Sequence, residues 1–70
     1  IVNLDRIVSL GIEKVDTEIL FQKGIINNTR VPVKILGNGD IKKPVEIKAD
    51  MFSKSAIEKI EKSGGKAIYQ

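Results

Sequence analysis

The sequence contains no cysteine, no histidine and no tryptophan. Without cysteine there is neither a disulfide nor a thiolate nucleophile. Without histidine the usual general base and the usual zinc ligand are missing, and every Ser-His or Cys-His arrangement is excluded. Aromatic residues are limited to Phe21, Phe52 and Tyr69, too few for the stacking platforms that hold single-stranded nucleic acids. No apolar run approaches the ~20 residues that cross a bilayer as a helix, and no signal-peptide pattern is present. The nine carboxylates show no spacing that forces two of them into one pocket. Catalysis therefore has no obvious group to start from, and no metal or nucleotide motif is evident.

What is present is a globular composition, 41% hydrophobic and 30% charged over 70 residues. That length makes one small domain, and a domain of this size buries only about 60% of the surface its unfolded chain exposes. The chain opens at Ile1 rather than Met, which reads as the start of a piece of a longer protein. Ile and Val together supply 18 residues, a bias toward strands. Charge is uneven. Residues 1–33 hold four basic and four acidic groups, whereas residues 34–70 hold eight lysines and five acids, so the net +3 lies wholly in the second half. A polyanionic partner for that half is one reading. A solvated surface is the other, since such a net charge is ordinary for a small domain.

The local pattern predicts six elements. Ile1–Leu4 reads as a short strand. Leu4, Ile7 and Val8 fit a helical face, but the Leu4–Leu10 stretch is short and uncapped, and the pattern leaves it open. Asp16 is placed to cap a helix, Glu18 suits its first turn, Ile19 and Leu20 supply its apolar side and Gly24 stands at C′. That helix has about seven residues and depends on packing to exist. After the polar Asn27–Thr29 loop, Val31, Val33 and Ile35 alternate with Pro32, Lys34 and Leu36, a strand that Pro32 suggests is an edge. Gly37-Asn38-Gly39-Asp40 reads as a turn. Val45, Ile47 and Ala49 alternate with Glu46, Lys48 and Asp50 as a second half-buried strand. Phe52, Ser53 and Ile57 have the N′, N-cap and N4 spacing of a hydrophobic staple. The helix they open ends at Gly64, and Lys66–Tyr69 closes the chain as a strand. The stretches Asp16–Ile26 and Ser53–Ile68 share the plan of cap, helix, glycine and apolar pair, a weak structural repeat.

Three stretches are candidate phosphate contacts. Gly37 and Gly39 allow close backbone approach, although no helix follows them to supply the amide array of a phosphate loop. Lys42 and Lys43, flanked by Lys34 and Lys48 on the neighbouring strands, form a candidate basic patch; the competing reading is a set of lysines blunting a sheet edge. Ser53, Lys54 and Ser55 open a helix, where free amides favour anions; the competing reading is that Ser53 only caps. Arg30 is a weaker candidate.

The run Val33–Ala49, followed by Phe52-Ser53-Lys54-Ser55-Ala56, Ile60 and Gly64-Gly65, resembles the ribosomal protein L-fifteen family of the bacterial-type large subunit. The shared features are a Lys with two aliphatics, the Gly-x-Gly turn, the alternating strand, the Phe-Ser-x-x-Ala helix start and the terminal Gly-Gly. Upstream, Val2–Asp5, Glu18–Leu20 and Gly24–Ile26 fit the same family. Pro44 stands where the family usually has Leu, and Asp50 where His is common. The family's Gly-, Lys- and Arg-rich N-terminal half is not represented, so residues 1–70 correspond to the C-terminal globular domain of a longer chain.

The resemblance implies an α/β fold, a small single domain of β-β-α units wound into an irregular superhelix. This agrees with the order β-α-β-β-α-β read from the residues. It implies a structural constituent of the large ribosomal subunit that binds ribosomal RNA through phosphate and shape contacts and supports subunit assembly. The partners implied are large-subunit ribosomal RNA and neighbouring ribosomal proteins, with no enzyme activity, cofactor, membrane or small-molecule substrate. The location implied is a cytoplasmic ribosome of bacterial type, or an organellar one. The residues expected to meet RNA are Lys34, Gly37, Gly39, Lys42, Lys43, Lys48, Ser53, Lys54 and Ser55. The alternative is a protein-interaction module of a larger non-ribosomal assembly.

Overall fold

In the computed structural model, which describes residues 1–70, the elements are β1 (Val2–Asn3), α1 (Leu4–Val8), β2 (Lys14–Val15), α2 (Thr17–Gln22), β3 (Lys34–Leu36), β4 (Glu46–Ala49), β5 (Met51–Phe52), α3 (Lys54–Lys62) and β6 (Lys66–Tyr69). Every strand pairing is parallel. The odd strands form one three-stranded sheet, β1-β3-β5, and the even strands another, β2-β4-β6. Parallel neighbours cannot be joined by a tight turn. Here the chain leaves each sheet after every strand, contributes the next strand to the other sheet, and returns. The result is a small α/β fold, wound so that each circuit lays one strand in each sheet.

Burial follows register. Val2, Ile35 and Phe52 are aligned across the first sheet and all are buried. In the second sheet Val15 and Ile47 are aligned and buried, with half-buried Ala67 beside them. Along β4, Ile47 and Ala49 point inward while Lys48 is exposed, the two-residue period expected from its sequence. Helices contribute Leu4 and Ile7 from α1, Leu20 from α2, and Ala56 and Ile60 from α3. The two sheets also meet at their rims, where Phe52 of β5 and Tyr69 of β6 pack edge to face with centroids 5.2 Å apart.

Two helices are built alike. The Asp16 Oδ1 accepts the Ile19 N–H at 2.8 Å, and the Ser53 Oγ accepts the Ala56 N–H at 3.1 Å. Each ends in a Schellman motif. In α2, Ile25 N–H donates to the Leu20 carbonyl and Gly24 N–H to Phe21; in α3, Gly65 N–H donates to Ile60 and Gly64 N–H to Glu61. The left-handed residue is glycine in both, Gly24 at φ +75° and Gly64 at φ +88°. The repeat stops there. Gly65 runs directly into β6, whereas Ile25 and Ile26 are half-buried outside any strand.

The structure corrects four sequence expectations. The open Leu4–Leu10 stretch is helical over α1, so the first strand ends at Asn3. Two further strands, β2 and β5, are each two residues long, too short to show an alternation. The Val31–Leu36 strand begins only at Lys34, and it is the central strand of its sheet rather than an edge. Pro32 is compatible with this because it lies before the ladder, where its missing N–H breaks no pairing. Finally, Gly37–Asp40 does not turn the chain between paired strands, because β3 and β4 belong to different sheets.

Phe52 is the largest buried side chain on β5 and the partner of Tyr69. Phe52→Ala should lower the stability to urea unfolding by about 3 kcal/mol, the usual scale for emptying a buried aromatic site. A loss under about 1 kcal/mol would place this ring outside the packed interior.

Candidate nucleic-acid interface

The segment between β3 and β4, residues 37–45, carries the chain from one sheet to the other. Its first half is fixed on both sides by protein. Gly37 is buried, and a Cβ there would overlap the Ser55 Oγ and lie 2.7 Å from the Ala56 nitrogen at the start of α3. Gly39 has φ +110°, and a Cβ there would lie 2.7 Å from the Asp5 Cβ. Between them, the Asn38 carbonyl accepts the Asp5 N–H at 2.9 Å, and the Asn38 side-chain amide donates to the Asn3 Oδ1 at 2.9 Å. The close approach that these glycines permit is thus made to α1 and α3. The Lys59 ammonium, reaching across from α3, donates to the carbonyls of Gly37 at 2.6 Å and Gly39 at 2.8 Å.

The second half of the crossing faces outward. Ile41 packs against the core, while Asp40, Lys42, Lys43 and Pro44 are exposed. Lys42 shares a cleft of about 600 Å³ with Asp40, Lys59, Lys62 and Ser63, which joins this loop to the C-terminal end of α3. Lys42 and Lys43 together line a second cleft of about 370 Å³ against Val8, Ile12 and Glu13.

The other candidates are dispersed. Lys34 is exposed on β3, in register with Met51 of the same sheet. Lys48 is exposed on the other sheet, in a groove with Lys14, Asp16 and Glu46. Lys34 and Lys48 therefore do not flank Lys42 and Lys43 on paired strands. Lys54 and Ser55 are exposed at the start of α3, a helix rise of about 12 Å from Lys62. The Ser53 hydroxyl is already engaged as the cap and lies 3.2 Å from the Ser55 Oγ. Arg30 is exposed in the connection before β3, its N–H donating to the Asn28 Oδ1. Asp50 has an internal role: its Oδ2 accepts the Val33 N–H at 2.7 Å and its own N–H donates to the Val33 carbonyl, tying the entry of β3 to the corner after β4.

The sequence pattern missed Lys59 and Lys62. Lys59 follows Ala56 by three residues and precedes Ile60, which puts it on the margin of the inward stripe. A lysine there can lay its methylenes along apolar surface and carry its ammonium to a polar group beyond. That spacing was the available signal. What it could not supply was the acceptors, which lie 22 and 20 residues away in sequence.

An α/β domain with neither cysteine nor histidine, a rigid glycine crossing and exposed lysines beside it belongs to the class of structural modules that meet polyanions. Comparison with known proteins makes the class specific. The chain belongs to the family of ribosomal proteins that comprises 50S-L15, 50S-L18e and their 60S counterpart, which matches residues 1–68. This family is structural and not enzymatic. Over 68 residues the chain is 37% identical to the large ribosomal subunit protein uL15 of Malacoplasma penetrans, covering 97% of this chain and 46% of that protein. The protein of the same name from Koribacter versatilis is 45% identical over 67 residues, covering 96% of this chain and 46% of its own. That of Mycoplasma mycoides subsp. mycoides is 46% identical over 66 residues, covering 94% and 46%. The chain spans about half the length of these relatives. The resemblance seen in Val33–Ala49 and Phe52–Gly65 is thereby established as family membership.

Because backbone atoms of α3 face Gly37, Gly37→Ala cannot be absorbed by a side-chain movement alone. It should destabilise the domain by about 1–3 kcal/mol, the range for overpacking. Urea unfolding checks this; a variant as stable as the parent would contradict the tight crossing.

Proposed function

We propose that this chain is a structural part of the large ribosomal subunit. In this reading it binds large-subunit ribosomal RNA by neutralising phosphates and by fit of shape, abuts neighbouring ribosomal proteins, supports subunit assembly, and resides in the ribosome of a bacterial cytoplasm. The observation that carries the reading is the family match together with the position of the excess charge. The lysines of the second half include Lys42, Lys43 and Lys62, exposed around a crossing that the protein holds fixed. Lys34, Lys48, Lys54 and Ser55 extend the polar surface to other faces, consistent with RNA meeting the domain from more than one side. Gly37 and Gly39 contribute by fixing the crossing, and Ser53 by starting α3. Readout of base identity is not favoured. Phe52 and Tyr69 pack on each other, which leaves no array of free rings, and recognition of double-stranded RNA rests mostly on backbone and shape.

Neutralising a phosphate contact releases counterions, so each such lysine contributes to the salt dependence of binding. A Lys42→Ala/Lys43→Ala double variant, titrated with salt on a fragment of large-subunit RNA, should flatten the slope of log K against log salt by about 2. The loss should be similar on unrelated RNA sequences, because phosphates carry no sequence information. The 70-residue chain itself should bind with Kd no tighter than ~1 μM at physiological salt. An unchanged slope would overturn the role of this loop.

A further inference from the structure

We infer that Lys59 is a positioning residue that sets the Gly37–Asp40 backbone as a phosphate-binding edge, with the main-chain N–H groups of Asn38 and Asp40 and the Lys42 ammonium as its donors. This rests on the proposed contact with RNA and names the atoms that make it. Lys59 is half-buried, and two of its three N–H donors are directed to the carbonyls of Gly37 and Gly39 at 2.6 and 2.8 Å. In a trans peptide the N–H points opposite to the carbonyl of the same plane, and the chain has no cis peptide bond. Drawing the Gly37 and Gly39 carbonyls onto Lys59 therefore turns the N–H groups of Asn38 and Asp40 away from it. Neither N–H donates to a backbone acceptor, and both residues are exposed. The intervening peptide is held separately, through the Asn38 carbonyl on the Asp5 N–H, so the two flanking planes are not free to flip together.

Successive main-chain amides held in a fixed concave arrangement bind anions, and a fixed donor loses little entropy on binding. Lys42 follows Asp40 by two residues and lines the same cleft. Lys59 is needed to shape this edge but does not touch the phosphate. The Asp40 carboxylate also lines the cleft and opposes an anion there, so it sets an upper limit on affinity.

The ligand class is a phosphodiester of an RNA backbone. The test uses the ¹⁵N-labelled 70-residue chain, a short RNA hairpin as probe, and inorganic phosphate as a separate arm. In the parent and in Lys59→Arg, the Asn38 and Asp40 amide resonances should shift with the hairpin more than with phosphate at equal concentration. In Lys59→Met those shifts should disappear, and the salt slope should fall no further when Lys59→Met is added to Lys42→Ala. If Lys59 touched phosphate itself, Lys59→Met would lower the slope by about 1 in either background and leave the amide shifts in place; that result overturns the inference. Equal shifts with phosphate and with the hairpin would also overturn it, by showing a site for small anions. Should Lys59→Met fail to fold, Asp40→Asn serves, since it leaves the clamp intact: hairpin affinity should rise a few-fold, and no change would overturn the inference. Amide shifts absent from the parent, with the Lys42→Ala/Lys43→Ala slope still flattened, would remove this edge but leave the RNA contact standing. An unflattened slope with the amide shifts present would do the reverse.

Discussion

The two carbonyls that Lys59 holds belong to the stretch that carries the chain from one sheet to the other. Parallel pairing makes such a stretch unavoidable, because strands adjacent in sequence cannot be adjacent in a parallel sheet without a crossover. In many folds a long helix fills that role. Here the connection between β3 and β4 has no secondary structure of its own and is fixed by neighbours. Gly37 lies against the start of α3, Gly39 against Asp5 of α1, and one ammonium satisfies the carbonyls on either side of Asn38. The placement of α1 against α3, and the distance between the sheets, depend on that contact.

The same contact determines where positive charge is displayed. A lysine whose ammonium is occupied by carbonyls adds little to the outer field, so Lys59 is structural although it counts toward the net charge. The field is left to residues such as Lys42, Lys43 and Lys62, which stand on or beside a segment that cannot move freely. Long-range attraction to a polyanion requires only net charge, whereas a defined pose requires cations at fixed positions. A small domain with few aromatic side chains has this second route to an ordered complex with RNA, and the family to which the chain belongs is one of ribosomal proteins.

The parts of the fold legible in the sequence are those with local causes. Asp16 with Gly24 and Ser53 with Gly64 mark helix ends because cap and C′ glycine act within a few residues. Alternation along β4 is legible because one face is buried. What was not legible depends on contacts distant in sequence. Nothing local distinguishes a β3–β4 turn from a crossing between sheets, since glycine answers both to a positive φ and to crowding by another element. β2 and β5 are strands only because β4 and β3 lie beside them. At the candidate interface the adjacency of Lys42 and Lys43 was plain, but the separation of Lys34 from Lys48 followed from the sheet order. The inward role of Lys59 needed its acceptors to be seen.

The central claim is that exposed lysines around the crossing meet RNA phosphates while Lys59 serves the protein. The most direct measurement is the acylation rate of each lysine amine in the free chain and in complex with large-subunit RNA, read by mass spectrometry. The account predicts that Lys42 and Lys43 react readily in the free chain and become protected on RNA, and that Lys59 reacts slowly in both states. Equal protection of every lysine, or a Lys59 that reacts as fast as Lys42 in the free chain, would contradict it.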